Sequence, residues 1–235
     1  MKTLFSILVW PIWFLYFSVS IFIMFSLLYI IPRSKVYLIV KPMCWPWCLL
    51  GGQWLIRIGD LPDPKNQPYI YMFNHASMFD QFMIGAYVTH YLTAVAAIEV
   101  FNYPFFGIVL KKYGIIPIVR KNIKKAMNSL IIAENSIKIG TSILIAPEGT
   151  RTISGNLGKF KKGPFHLAKN SRATIIPIGL IGAYRAKNKK DWRLTPGKLH
   201  VKIGNPISFS FFKNMSVEEL RDYTREKIEI LINKR

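Results

Sequence analysis

From Thr3 to Pro32 the sequence carries no charged residue, and "LFSILVWPIWFLYFSVSIFIMFSLLYII" is apolar almost throughout. A helix rising ~1.5 Å per residue over such a run is long enough to cross a ~30 Å hydrocarbon core, tilted or not. Secretory signals have apolar cores of only ~7–15 residues and end at a small-residue cleavage pattern. This run is about twice that length and ends without A-x-A, so it is expected to stay as a membrane anchor. A second apolar stretch, Val36 to Ile56, is a poorer span. It holds Lys41, two prolines, Gly51-Gly52 and three tryptophans, and its uncharged part runs only from Pro42 to Ile56. Tryptophan favours the membrane interface. The expectation is either one span plus an interfacial segment, or a hairpin dipping into one leaflet. Residues 1–58 are thus expected to form a two-segment hydrophobic membrane motif.

After Asp60 the pattern becomes periodic. Short apolar runs predict strands at Tyr69–Phe73, Thr93–Ala97, Ile115–Val119, Ser142–Ala146, Thr174–Leu180 and Lys198–Ile203. Amphipathic stretches between them predict helices at Asp80–His90, Asn122–Ile139 and Gly163–Lys169. A last helix opens at "NMSVEEL", where Ser216 and Glu219 fit a capping box and Val217, Leu220, Ile228 and Leu231 form one stripe. Strands alternating with helices predict an α/β fold, a single catalytic domain over 59–235 with a largely parallel mixed sheet flanked by helices.

Charge changes the picture of partners. The formal net charge is +20. The last twenty residues, Ser216 to Arg235, hold five acids and five bases, so the whole excess lies in the first 215, which contain seven acids. Such a field favours anionic partners, and beside a membrane anchor the simplest are anionic membrane lipids. Basicity is the sole support for nucleic acid, since no zinc-finger, RRM or Walker-type signature occurs, and no nucleic-acid partner is expected. Cys44 and Cys48 lie in the apolar stretch as packing residues. No HExxH occurs, and His90, His166 and His200 show no ligand spacing, so no metal site is expected.

The candidate chemistry begins in "FNHASMFD", residues 73–80. In a continuous helix His75 and Asp80 would point about 140° apart. A strand ending at Phe73, a turn, and a helix capped by Ser77 would instead let the chain double back, so that the Asp80 carboxylate accepts from the imidazole and fixes its tautomer. Ser77-x-x-Asp80 also reads as a capping box, which would make Asp80 purely structural. "GIIPIVR" ends a predicted strand with Arg120, and "APEGTR" places Glu148, Gly149, Thr150 and Arg151 after another. Open α/β sheets bind ligands beyond the carboxyl ends of their strands, which is where all these residues fall.

These stretches resemble the membrane glycerolipid acyltransferases, specifically the 1-acyl-glycerol-3-phosphate (lysophosphatidate) acyltransferases. The family's NHxxxxD block is matched at Asn74, His75 and Asp80. Its second block is matched at Gly114, Ile118 and Arg120, with Pro117 in place of the usual aromatic residue. EGTR is matched in full at Glu148 to Arg151, and an apolar run with a central proline is matched loosely around Pro177. "PFFG" (Pro104–Gly107) and "FKKG" (Phe160–Gly163) also fit.

The resemblance implies transfer of a fatty acyl group from acyl-CoA or acyl-carrier protein to the 2-hydroxyl of lysophosphatidate, giving phosphatidate in phospholipid biosynthesis. His75 would be the general base, oriented by Asp80, while Arg120, Glu148, Gly149, Thr150 and Arg151 would bind the acceptor. The thioester is a co-substrate and no cofactor is implied. Lys159, Lys161 and Lys162 either add positive potential or form a solvated face. The implied location is a membrane, the bacterial inner membrane with the catalytic domain on the cytoplasmic face. Glycerol-3-phosphate or another lysolipid remains open as acceptor. So does thioester hydrolysis by Ser77, His75 and Asp80, although no G-x-S-x-G elbow occurs.

Overall fold

All five residues of Tyr69–Phe73 are buried, which a strand covered on both faces requires. In the computed structural model, which describes residues 1–120 and 122–233, this strand lies at the middle of a seven-stranded sheet. Two helices, α1 (Lys2–Ile30) and α2 (Arg33–Leu49), lead into strand β1 (Gln53–Ile58). A 3-10 turn (Pro64–Asn66) precedes β2 (Tyr69–Phe73), α3 (Asp80–Gly85) and β3 (Leu92–Ala97). A second 3-10 turn (Ile98–Asn102) is followed by α4 (Phe106–Tyr113), β4 (Ile116–Ile118), α5 (Ile123–Lys138) and β5 (Ser142–Ile145). The chain then forms α6 (Gly163–Ser171), β6 (Thr174–Ile181), α7 (Ala183–Ala186), β7 (Gly197–Ile203), α8 (Phe209–Phe212) and α9 (Val217–Asn233). Lys234 and Arg235 lie outside the described residues.

The sheet order is β1-β7-β6-β2-β5-β3-β4, and every pairing is parallel except β6 with β7. Side chains alternate between its faces with a period of two. Tyr69, Tyr71 and Phe73 pack with the α1–α4 side, whereas Ile70 and Met72 join the core under α5, α6 and α9. The parallel mixed sheet flanked by helices is the architecture that the alternating pattern predicts.

Several elements depart from the expected ones, the short helices α7 and α8 among them. The second apolar stretch does not run through to Ile56. Its helix stops at Leu49, Gly52 takes φ +77°, and β1 then pairs with β7. Gly51 lies so close to the Phe79 ring that a Cβ would come within 2.6 Å. A domain boundary at 58/59 therefore falls at the end of a sheet strand, because the Gly pair breaks the helix and Gln53 and Leu55 alternate inward as a strand does. Helix α3 ends at Gly85 rather than His90, where the chain turns and the Tyr37 hydroxyl donates to the Val88 carbonyl at 2.7 Å. Helix α4 was not among the predicted helices; it ends at Gly114 in the left-handed region, φ +97°.

Among the described residues α1 is the one helix long and apolar enough to cross a membrane. It buries Trp13, Ile21 and Met24, while Leu8, Leu15 and Phe22, spaced by heptads on another face, are 61–67% exposed. Both ends of α1 touch the sheet domain. At the start, the Lys2 ammonium lies 3.3 Å from Asp191, Trp10 Nε1 donates to the Trp192 carbonyl at 2.9 Å, and the Leu194 N–H donates to Ser6. At the far end, Phe25 packs on Phe105 and Lys112 sits over the Tyr29 ring, while Arg33 in the turn beyond lies over Tyr91. At ~1.5 Å per residue the helix is about 43 Å long, and a seven-stranded sheet is about 29 Å wide at ~4.8 Å per strand. The helix therefore lies lengthwise across the domain, from the loop before β7 to α4.

At the amino ends of the strands, His90 is buried beside Ser142, whose hydroxyl is 2.9 Å from Nε2 and also accepts the Tyr69 N–H at 3.0 Å. Burial pushes the imidazole down to about 4. The unfolded chain takes up this proton below pH ~6.5, and the folded chain takes it up only near 4. Stability is thus expected to fall as the pH drops from ~6.5 to 4, by on the order of 3 kcal/mol from this group. Melting curves of wild type and His90→Asn across that range check it; parallel slopes would exclude the contribution.

Candidate active site

The turn after β2 folds onto one carboxylate. Asp80, in the first turn of α3 and fully buried, accepts three hydrogen bonds at a single oxygen, Oδ2: His75 Nδ1 at 2.7 Å, Ala76 N–H at 2.8 Å and Ser77 N–H at 3.0 Å. The pairing with His75 and the bracing of the turn before α3 are here the work of one atom. Because Nδ1 donates to Asp80, Nε2 of the neutral ring is left as an acceptor. The His75 side chain is 20% exposed, so the ring reaches the surface of the site while its partner does not. Ser77 departs from its expected role. Helix α3 starts at Asp80, and the Ser77 hydroxyl donates instead to the Lys187 carbonyl at 2.8 Å.

Two further residues hold this turn in place. Asn74 forms a reciprocal pair with the Leu180 backbone, its amide donating to the carbonyl at 2.9 Å and its oxygen accepting the N–H at 2.7 Å. This pins the end of β2 to the end of β6. Glu148, expected at the substrate, points inward and is 7% exposed. Its Oε1 accepts the His75 N–H at 2.7 Å and its Oε2 accepts the Gly158 N–H at 2.8 Å. Burial raises its carboxyl above the usual range, and these two donors pull against that. With both oxygens occupied, Glu148 ties the backbone of His75 to the loop at Gly158.

The rest of EGTR forms the loop. Gly149 takes φ +74°, and the Lys161 stem packs against it. Thr150 is exposed and Arg151 half-buried. The Thr152 N–H returns to the His75 carbonyl at 2.8 Å, and the Lys161 N–H closes the loop on the Pro147 carbonyl at 2.9 Å. Arg151 is therefore brought beside His75. Arg120 is exposed at the end of β4, the edge strand, three strand spacings from β2, or about 14 Å. It shares the rim of strand ends with the other residues but stands apart from them. Lys187, which did not stand out in the sequence, reaches the site through the loop after α7. Burial, and the Arg151 guanidinium nearby, hold its ammonium below the usual lysine range.

A family model described as Acyltransferase matches residues 59–181, a segment that contains all of these residues except Lys187. The chain belongs to the acyltransferase family. A 1-acyl-sn-glycerol-3-phosphate acyltransferase from Limnanthes douglasii is 30% identical over 88% of this chain and 78% of its own length. The enzyme of that name from Cocos nucifera is 36% identical over 61% of this chain, but the match spans only 47% of that protein. A probable 1-acyl-sn-glycerol-3-phosphate acyltransferase from Mycoplasma genitalium is 31% identical over 75% of this chain and 69% of its own. In fold, this acyltransferase superposes on the crystal structure of the 1-acyl-sn-glycerophosphate (LPA) acyltransferase PlsC from Thermotoga maritima. The TM-score is 0.83, covering 97% of this chain and 95% of that one at 22% identity.

Replacing Glu148 with Ala leaves two backbone N–H groups without acceptors. The expected cost is on the order of 2 kcal/mol, which for a chain of this size lowers the melting temperature by roughly 4–8 °C. Limited proteolysis should then cut first within residues 149–158. A melting temperature that does not move would show that the carboxylate holds nothing.

Proposed function

We propose that this acyltransferase moves a fatty acyl group from an acyl thioester, acyl-CoA or acyl-carrier protein, to the 2-hydroxyl of lysophosphatidate, making phosphatidate. The observation that carries this reading is the 2.7 Å contact between His75 and the buried Asp80, set at the carboxyl ends of parallel strands. An alcohol is a weak nucleophile at neutral pH, so a base must take its proton as it attacks. Nε2 of His75 accepts that proton while the hydroxyl oxygen bonds to the thioester carbonyl carbon. The carbon–sulfur bond then breaks, and the departing thiolate takes the proton back from the imidazolium. Asp80 keeps the ring in the productive tautomer and stabilises the imidazolium formed midway. The thioester is already activated, so no cofactor is needed. Arg151 binds the acceptor phosphate, and Gly149 and Thr150 shape its loop. Arg120 adds positive potential from the edge of the sheet. The relatives' printed names support the lysophosphatidate acceptor.

Hydrolysis through a Ser77 nucleophile is disfavoured, because that serine is fully buried and its hydroxyl is spent on the Lys187 carbonyl.

The membrane arrangement follows from α1. A helix whose two ends both touch one folded domain cannot have those ends on opposite sides of a bilayer. The α1–α2 hairpin therefore lies within one leaflet, with the exposed Leu8, Leu15 and Phe22 face toward acyl chains. Arg33, Lys35 and the basic domain share the cytoplasmic side, in a bacterium that of the inner membrane.

His75→Ala and Asp80→Asn are expected to lower turnover of lysophosphatidate by on the order of 10²–10⁴-fold, with membrane insertion and protein level intact. Near-wild-type turnover in His75→Ala would remove it as the base. In sealed vesicles, a thiol introduced by Ser34→Cys should react with an impermeant reagent only from the side that bears the catalytic domain. Labelling from the other side would rule out the one-leaflet hairpin.

A further inference from the structure

His75 stands at the end of β2, and the sheet gives it a neighbour on each side. On one side β5 leads to Arg151; on the other β6 leads through α7 to Lys187. The two loops are joined to each other. The Tyr184 hydroxyl donates to the Ile153 carbonyl at 2.8 Å, and Gly155 lies against the Tyr184 ring so closely that a Cβ there would come within 3.0 Å. Lys187 is fixed at its backbone by the Ser77 hydroxyl, inside the same turn that carries His75. Its ammonium donates to the Asn188 carbonyl, which occupies one of its three N–H groups. Asp191, four residues on, is already held by Arg193 Nε and Nη2 and by Lys2. Among the described residues neither Arg151 nor Lys187 forms a salt bridge. Two half-buried cations near each other repel; Asp191 offsets only part of the Arg151 effect on Lys187, and an anion placed between the two cations removes the rest.

We propose that Lys187 and Arg151 clamp the phosphate of the acceptor from the two strands that flank His75. The assignment rests on the acyl-transfer reading above and names the second group that recognises the acceptor's charge. Chemistry fixes the required distance. The phosphate of lysophosphatidate is only a few covalent bonds from the hydroxyl that must reach Nε2. Lys187 and Arg151 follow the strands directly beside β2, whereas Arg120 is about 14 Å away along the sheet. The clamp also gives the Ser77–Lys187 hydrogen bond a purpose, since it sets the cation and the base in one register.

The test is steady-state kinetics of the full chain in lipid micelles, varying acceptor and donor separately. The donor is whichever thioester the wild type turns over, an acyl-CoA or an acyl-carrier-protein conjugate. The acceptors are lysophosphatidate and monoacylglycerol, which offers the same hydroxyl without the phosphate. Lys187→Ala is expected to raise the KM for lysophosphatidate about tenfold, the loss of one charge-assisted contact. It should leave the donor KM in place and shrink the preference for lysophosphatidate over monoacylglycerol by the same factor. Lys187→Arg should recover most of the difference. An unchanged acceptor KM, a rise in the donor KM alone, or an equal fall in kcat for both acceptors would each overturn the clamp while leaving the acyl-transfer reading intact. A wild-type enzyme that fails to acylate lysophosphatidate with either donor would overturn both.

Discussion

One carboxylate oxygen organises this molecule. Oδ2 of Asp80 takes the imidazole of His75 and the backbone N–H groups of Ala76 and Ser77, and it does so in full burial. A buried charge is tolerated when donors surround it, and here the chain has folded a whole turn around it to supply them. The turn cannot relax without stripping the carboxylate of its partners, so His75 is held as firmly as the fold itself. The packing below is equally committed. Helix α3 rests on the N-terminal hairpin, with Phe82 against Trp47 and Trp13, and Phe79 against Gly51. The apolar hairpin is thus the floor beneath the turn that carries His75.

Around that centre the sheet supplies reach. Each of the three central parallel strands ends in a residue or loop with a different task. The end of β2 carries His75, β5 leads to Glu148 and Arg151, and β6 leads to Lys187. Backbone clips bind the three together: Asn74 to Leu180, Glu148 to His75, Ser77 to Lys187 and Thr152 to His75. Each clip is worth little by itself, but together they fix the ends of the three strands, and with them His75, Arg151 and Lys187, relative to one another.

The sequence made much of this legible where one physical signal dominated. Tyr69–Phe73 was found to the residue because a run of five apolar side chains between polar breaks has few other readings. Helix α5 lies within one residue of its predicted bounds at each end, because its amphipathic stripe is unbroken. Legibility failed where two signals competed. In Val36–Ile56 hydrophobicity suggested one membrane segment, and the Gly51-Gly52 break that starts β1 was outweighed. His75 and Asp80 were visible as a pair, yet the inward turn of Glu148 was not, because a motif shows which residues occur together and not which way each faces. Lys187 gave no signal at all: a lysine in a lysine-rich loop becomes distinctive only once the strand order sets it next to β2.

The place of β1 has a consequence for how the chain is made. Synthesis runs from the amino end, so the apolar hairpin and β1 leave the ribosome long before β7, the strand that β1 must pair with. Between them lies nearly the whole catalytic domain, a long loop to close before that pairing can repay its entropy. During that interval the backbone of β1 has no partner strand, because β1 is an edge strand whose one neighbour in the sheet is β7. The parallel β1–β7 edge is thus closed late, after the strands that separate the two in sequence have been made.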